Sequence, residues 1–99
     1  MKTIIQFSYK LDGGPPKGVP VIDCRSITNP YRLSETDEGR VALVRAHEAF
    51  PVLVETGIEI LTIRDEIAVG CTWGRHRSGT VAREIAARTG AKVVRKPRD

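Results

Sequence analysis

Apolar and β-branched residues gather in four short blocks: Thr3–Phe7 (TIIQF), Val19–Asp23 (VPVID), Glu66–Gly70 (EIAVG) and Lys92–Arg95. Blocks of this length predict strands. Pro20 has no N–H to give a ladder, so the second strand belongs at an edge or begins just after the proline. The polar, Gly/Pro-dense DGGPPKG of Asp12–Gly18 predicts a loop. A helix capped at Thr36 or Asp37 is expected through EGRVALVRAHEA, with Val41, Val44 and Glu48 on one face. Pro51 suits the first turn of the next segment, VLVETGIEIL, where helix and strand patterns compete and Gly57 either weakens a helix or ends it. The clearest helix is Ser78–Thr89, whose stripe is Val81, Ala82, Ile85, Ala86 and Thr89. Glu84 and Arg88 are spaced to pair along it, and Gly90 is placed to end it. Strands separated by helices predict an α/β fold: a small, mainly parallel sheet of about four strands with helices packed on its faces.

Composition narrows the function classes. A chain of 99 residues fits one domain, 1–99, and 40% hydrophobic with 28% charged residues is ordinary for a globular protein. Sixteen Lys and Arg against twelve Asp and Glu give a net charge of +4, which favours an anionic partner, either a phosphorylated small molecule or RNA. Cys24 and Cys71 lie far apart without metal-ligand spacing, so reduced thiols in a cytoplasmic protein are expected, with no metal site and no cofactor. No segment approaches the roughly 18 apolar residues of a membrane span, and the start MKTIIQFSYK is too short and polar for a signal peptide.

The densest chemistry lies in GCTWGRHRSGT, Gly70–Thr80, between the third strand and the last helix. Unpaired N–H groups and the positive end of the helix dipole meet there, so an anion is the natural occupant. Gly74 lets the backbone curl close to a ligand, Arg77 offers a planar fork for two oxygens, and Arg75 and His76 add positive field. Ser78 or Thr80 can cap the helix or add a hydroxyl. Trp73 reads as a ring over the pocket mouth or at an interface. Cys71 is a small buried hydrophobe or a nucleophile, and Cys24 reads as structural. The loop is not a Walker A sequence, since no Gly-Lys-Ser/Thr follows a correctly spaced glycine. The segment after the second strand, CRSITNPYRLSET (Cys24–Thr36), has a turn marked by Asn29-Pro30, also falls at a strand's carboxyl end and forms a candidate second wall.

Two readings follow. In the first, Cys71, Gly74, Arg77 and Ser78 match the Cys-x-x-Gly-x-x-Arg-Ser/Thr loop of protein tyrosine phosphatases. A thiolate then attacks phosphorus, and Asp37 or Asp23 serves as the acid that protonates the leaving group. Gly70 stands where those enzymes carry histidine, and no acid loop of their kind is recognisable.

The second reading is a binding module. IAVGCTWGRHRS (Ile67–Ser78), DCRSITNP (Asp23–Pro30), FSYK (Phe7–Lys10) and the final Arg98-Asp99 together resemble the carboxy-terminal domain of the RNase adapter protein RapZ family. The resemblance implies sensing of an amino-sugar phosphate, glucosamine-6-phosphate, with RNA and protein contacts, and a homo-oligomer is compatible with it. It implicates Asp23, Arg25, Asn29, Cys71, Thr72, Gly74, His76 and Arg77 as pocket residues, to which the loop reading adds Trp73, Arg75 and Ser78. Four positions depart from the family pattern: Trp73 replaces a glycine, Arg75 a lysine, Gly79 a valine and Pro97 a histidine. In that family the domain follows a nucleotide-binding domain, which this sequence lacks. A stand-alone, non-catalytic phosphometabolite-binding module is therefore the expectation, with a cysteine-dependent phosphatase as the alternative.

Overall fold

The computed structural model describes residues 1–97. The most apolar block becomes a strand with neighbours on both sides. This strand, β3 (Glu66–Cys71), is buried at every position after Glu66, as a strand covered on both faces must be. It runs between β2 (Val21–Asp23) and β1 (Thr3–Ser8), and β4 (Lys92–Arg95) adds to the far side of β1. The order is β2-β3-β1-β4, and every pairing is parallel. The short β2 begins just after Pro20, at an edge, where the missing N–H does no harm. No helix among the described residues is long and apolar enough to cross a membrane.

Register fixes what each face carries. Ile4 pairs with Ile67 and Val93, and Ile22 pairs with Val69, so these side chains share one face. They join a single core with Val44 of α1 (Asp37–Ala46), Phe50, Val54 and Leu61 of α2 (Ala49–Leu61), and Val81, Ala82 and Ile85 of α3 (His76–Thr89). On the opposite face Phe7 is fully buried and lies against Gly70, where a Cβ would stand 2.2 Å from the Phe7 Cζ. The Tyr9 ring meets Phe7 edge-on at 4.9 Å. Gly70 is thus glycine because the neighbouring strand's aromatic ring fills its side-chain space.

The segment with competing patterns is helix. Gly57 lies inside α2 because a Cβ there would come within 2.5 Å of Ile85 Cδ1 of α3. α1 is capped as expected by Thr36, whose Oγ1 accepts the Gly39 N–H at 3.0 Å. It ends at Ala46, so Glu48 falls outside it, at the N-cap of α2. α3 ends at Gly90, which takes φ +76° and donates its N–H to Ala86 O. α3 begins at His76, two residues before the expected start, and that places His76 and Arg77 in its first turn. Glu84 and Arg88 do not pair with each other. Glu84 binds Arg45 at 3.0 Å and Arg88 binds Glu55 at 2.7 Å, so each charge ties α3 to a neighbouring helix.

Candidate functional site

The β3–α3 loop is held by the strand next to it. Cys71 O accepts from Tyr9 N at 3.0 Å, and Thr72 O accepts from Lys10 N at 3.0 Å and Ser8 Oγ at 2.7 Å. Gly74 turns the chain at φ +69°, with no room for a side chain: a Cβ would stand 2.9 Å from Phe7 O. Its carbonyl accepts from Gln6 Nε2 at 2.8 Å and from Arg95 Nη1. Behind this turn Asp12, whose side chain is fully buried, accepts from Ser8 N at 2.7 Å and Arg95 Nη2 at 3.3 Å. With its carbonyls turned toward β1 and β4, the loop turns N–H groups the other way.

Several of those N–H groups converge on Cys71. Burial pushes its thiol up, but the Ser78 hydroxyl and the amides of Ser78, Arg75 and Gly74 more than offset burial and hold its pKa below the ordinary thiol value. Cys71 Sγ lies 3.3 Å from Ser78 Oγ. Cys24 lacks such a cradle, and burial pushes its thiol strongly upward. Ser78 therefore serves the sulfur and does not cap α3. Thr80 does not cap it either, because its hydroxyl donates back to His76 O at 2.6 Å. The N-cap of α3 is Arg75, with no side-chain cap bond.

Arg77 joins the two walls. It is 7% exposed, and its Nη1 donates to Ile27 O at 3.0 Å and to Arg25 O at 3.5 Å. The guanidinium thus bolts the segment after β2 to the first turn of α3, and the two segments expected to face one another do so. The side chains of Asp23 and Arg25 are engaged with each other. Arg25 Nη2 donates to Asp23 Oδ2 at 2.8 Å and Nε to Oδ1 at 3.0 Å, and the guanidinium lies 3.6 Å over the Tyr9 ring. The Arg25 hydrogen bond, first among the causes, holds Asp23 below the usual carboxylate range.

Beside this junction opens a cavity of about 590 Å³ lined by Thr28, Asn29, Tyr31, Arg32, Leu33, Trp73, Arg75 and His76. Of the residues singled out from sequence, Asn29, Trp73, Arg75 and His76 line it. Cys71, Thr72, Gly74, Arg77 and Ser78 build the turn behind it, and Asp23 and Arg25 are not among the lining residues. Asn29 also shapes the wall, since its Oδ1 accepts the Tyr31 N–H at 3.1 Å and caps the short 3-10 turn Pro30–Arg32. Thr28, Tyr31, Arg32 and Leu33 also line the cavity; they lie in the segment expected as a second wall, with Asn29-Pro30 marking its turn, but were not singled out as pocket residues.

Asp37, the carboxylate named for the catalytic alternative, stands at the amino end of α1 and faces an imidazole and two guanidinium groups. His76 Nε2 lies 2.9 Å from Oδ1, Arg40 Nη1 3.6 Å from Oδ1 and Arg75 Nη2 3.9 Å from Oδ2. The His76 hydrogen bond, then the arginines, hold it below the usual carboxylate range. A carboxylate so held is a poor proton donor near neutral pH. The Arg98-Asp99 match lies outside the described residues.

The pattern of the RapZ C-terminal domain matches residues 2–98. Among curated proteins, one from Salinispora arenicola called "Nucleotide-binding protein" is 35% identical over 93% of this chain and 37% of its own length. Another of that name from Salinispora tropica is 34% identical over 98% of this chain and 38% of its own length, and one from a Jannaschia species is 33% identical over 97% and 36%. The chain therefore spans well under half the length of these relatives, and it belongs to the RapZ C-terminal domain family.

Proposed function

We propose that this chain is a regulatory module of the RapZ C-terminal kind that binds a phosphorylated small molecule in the cavity between the Thr28–Leu33 segment and the β3–α3 loop. The observation that carries the reading is the meeting of three features in one place. The amino end of α3 has no side-chain cap, Arg75 and His76 stand beside it, and the adjoining cavity of about 590 Å³ falls within the size of small-ligand pockets, about 300–1,000 Å³. Helix dipole and guanidinium groups both favour negative charge there. The relatives' name speaks of nucleotides, but the chain corresponds to little more than a third of their length, so the name does not assign that binding to this part.

We read the site as binding without turnover. Cys71 is almost wholly buried, and Asp37 is held in its ionised form by His76 and the arginines. The basic carboxy-terminal stretch supports RNA contact less well, because Arg95 is engaged with Gly74 and Asp12, and Lys96 Nζ donates to Asp12 O at 2.7 Å and Gly14 O at 3.0 Å. Calorimetric titration with inorganic phosphate and glucosamine-6-phosphate tests the reading. Arg75→Ala should weaken binding about tenfold or more, as loss of a charge-assisted hydrogen bond does. Equal binding by the variant, or Cys71-dependent release of phosphate from p-nitrophenyl phosphate, would overturn it.

A further inference from the structure

The cavity lining limits the organic part of the ligand as well as its charge, given the phosphate-binding reading above. Trp73 and Tyr31 are both exposed and both line the cavity, together with exposed Leu33. Each ring is backed by a cation: Lys10 Nζ lies 4.8 Å from the Trp73 ring centre and the Arg40 guanidinium 4.5 Å from that of Tyr31. A cation held against one side of a ring fixes its orientation and leaves its remaining surface for a ligand. Some polar members of the lining already have partners within the protein. Asn29 Oδ1 accepts from Tyr31 N, and His76 and Arg75 face Asp37. No carboxylate is among the lining residues, and Asp23, the acid expected to face the site, is held by Arg25. The ammonium of an amino sugar would meet three basic lining residues, Arg32, Arg75 and His76, and the nearby carboxylate of Asp37 already faces two of them. A flat unsaturated ring, by contrast, needs only the apolar faces of Trp73 and Tyr31 to lie on.

We infer that the cavity takes a phosphate monoester carrying a planar aromatic ring, of which a nucleoside monophosphate is the simplest common example. The ring stacks on Trp73, with Tyr31 and Leu33 enclosing it, and the phosphate meets Arg75 and the amino end of α3. Trp73 is the sole tryptophan, so its fluorescence reports on the cavity directly.

The experiment titrates the full chain with adenosine 5′-monophosphate, uridine 5′-monophosphate, ribose 5-phosphate, glucosamine-6-phosphate and inorganic phosphate. Tryptophan emission is read for the wild type and calorimetry for every variant. The expected result is quenching by the nucleoside monophosphates and affinity about tenfold or more above ribose 5-phosphate, the range that ring stacking supports. Trp73→Ala should abolish that preference, and Trp73→Phe should retain part of it. If ribose 5-phosphate or glucosamine-6-phosphate binds as tightly as the nucleoside monophosphates, or Trp73→Ala keeps the preference, the inference falls and phosphate binding stands. If no phosphate compound binds, both fall.

Discussion

Replacing Arg77 tests whether the two walls of the cavity are held together by one side chain. The guanidinium is 7% exposed and supplies the hydrogen bond to Ile27 O at 3.0 Å. Arg77→Ala leaves that carbonyl without its donor, at a cost of about 1–3 kcal/mol. It also removes two stem methylenes from the interior at about 0.8 kcal/mol each, offset by up to about 2 kcal/mol of recovered side-chain freedom. The net loss expected is about 1–4 kcal/mol, against the roughly 5–15 kcal/mol that stabilises a domain. At about 4–8 °C per kcal/mol for a chain of this size, the melting temperature should fall by about 5–30 °C. Arg77→Met keeps most of the stem and loses the donor, so it should recover the packing part alone. Urea unfolding followed by circular dichroism gives both numbers. An Arg77→Ala midpoint equal to that of the wild type would refute the strut. Amide resonances of Thr28 and Asn29 should move in both variants, because the segment they lie on is no longer tied to α3.

Ser78→Ala should raise the ionisation point of Cys71, read from thiolate absorbance across a pH titration. Because the folded value lies below the ordinary one, ionised Cys71 adds stability above the unfolded thiol pKa of about 8.5, lost as pH falls through the folded value; an unmoved titration would remove Ser78 from the cradle. Asp37→Asn should flatten the acid limb of the stability curve. The carboxylate's lowered pKa means its contribution is present above about pH 4 and lost as pH drops through the folded value, and a variant as acid-sensitive as the wild type would contradict this. Gly74→Ala forces a side chain at φ +69° toward Phe7 O, and it should cost about 1–3 kcal/mol or more in urea unfolding; a neutral effect would mean the turn is not confined.

The elements a reader can extract from this sequence are those with a strong period or a decisive end residue. β3 and α3 were legible because one is a short unbroken apolar run and the other an amphipathic stripe closed by Gly90. The anion loop between them was legible through its glycine and cations. What sequence could not resolve was the choice of helix over strand for α2, since the reason for Gly57 is the Ile85 side chain of another helix. The second wall was only half visible. The family resemblance implied Asp23 and Arg25 as pocket residues, yet opposite charges two residues apart satisfied each other first. Tyr31, Arg32 and Leu33 lie at a turn too short for any period, and they supply three of the eight lining residues.

The pairing of β1 with β4 brings residues near position 3 beside residues near position 92, and its partner on the other side begins only at Glu66. In a nascent chain β1 therefore stays without either neighbour until β3 has been made, because loop closure over such separations must precede any ladder. Arg95, on β4, reaches Gly74 O and Asp12. The ligand loop is then completed only when the sheet is, so partly made or carboxy-terminally clipped chains should present no competent binding site.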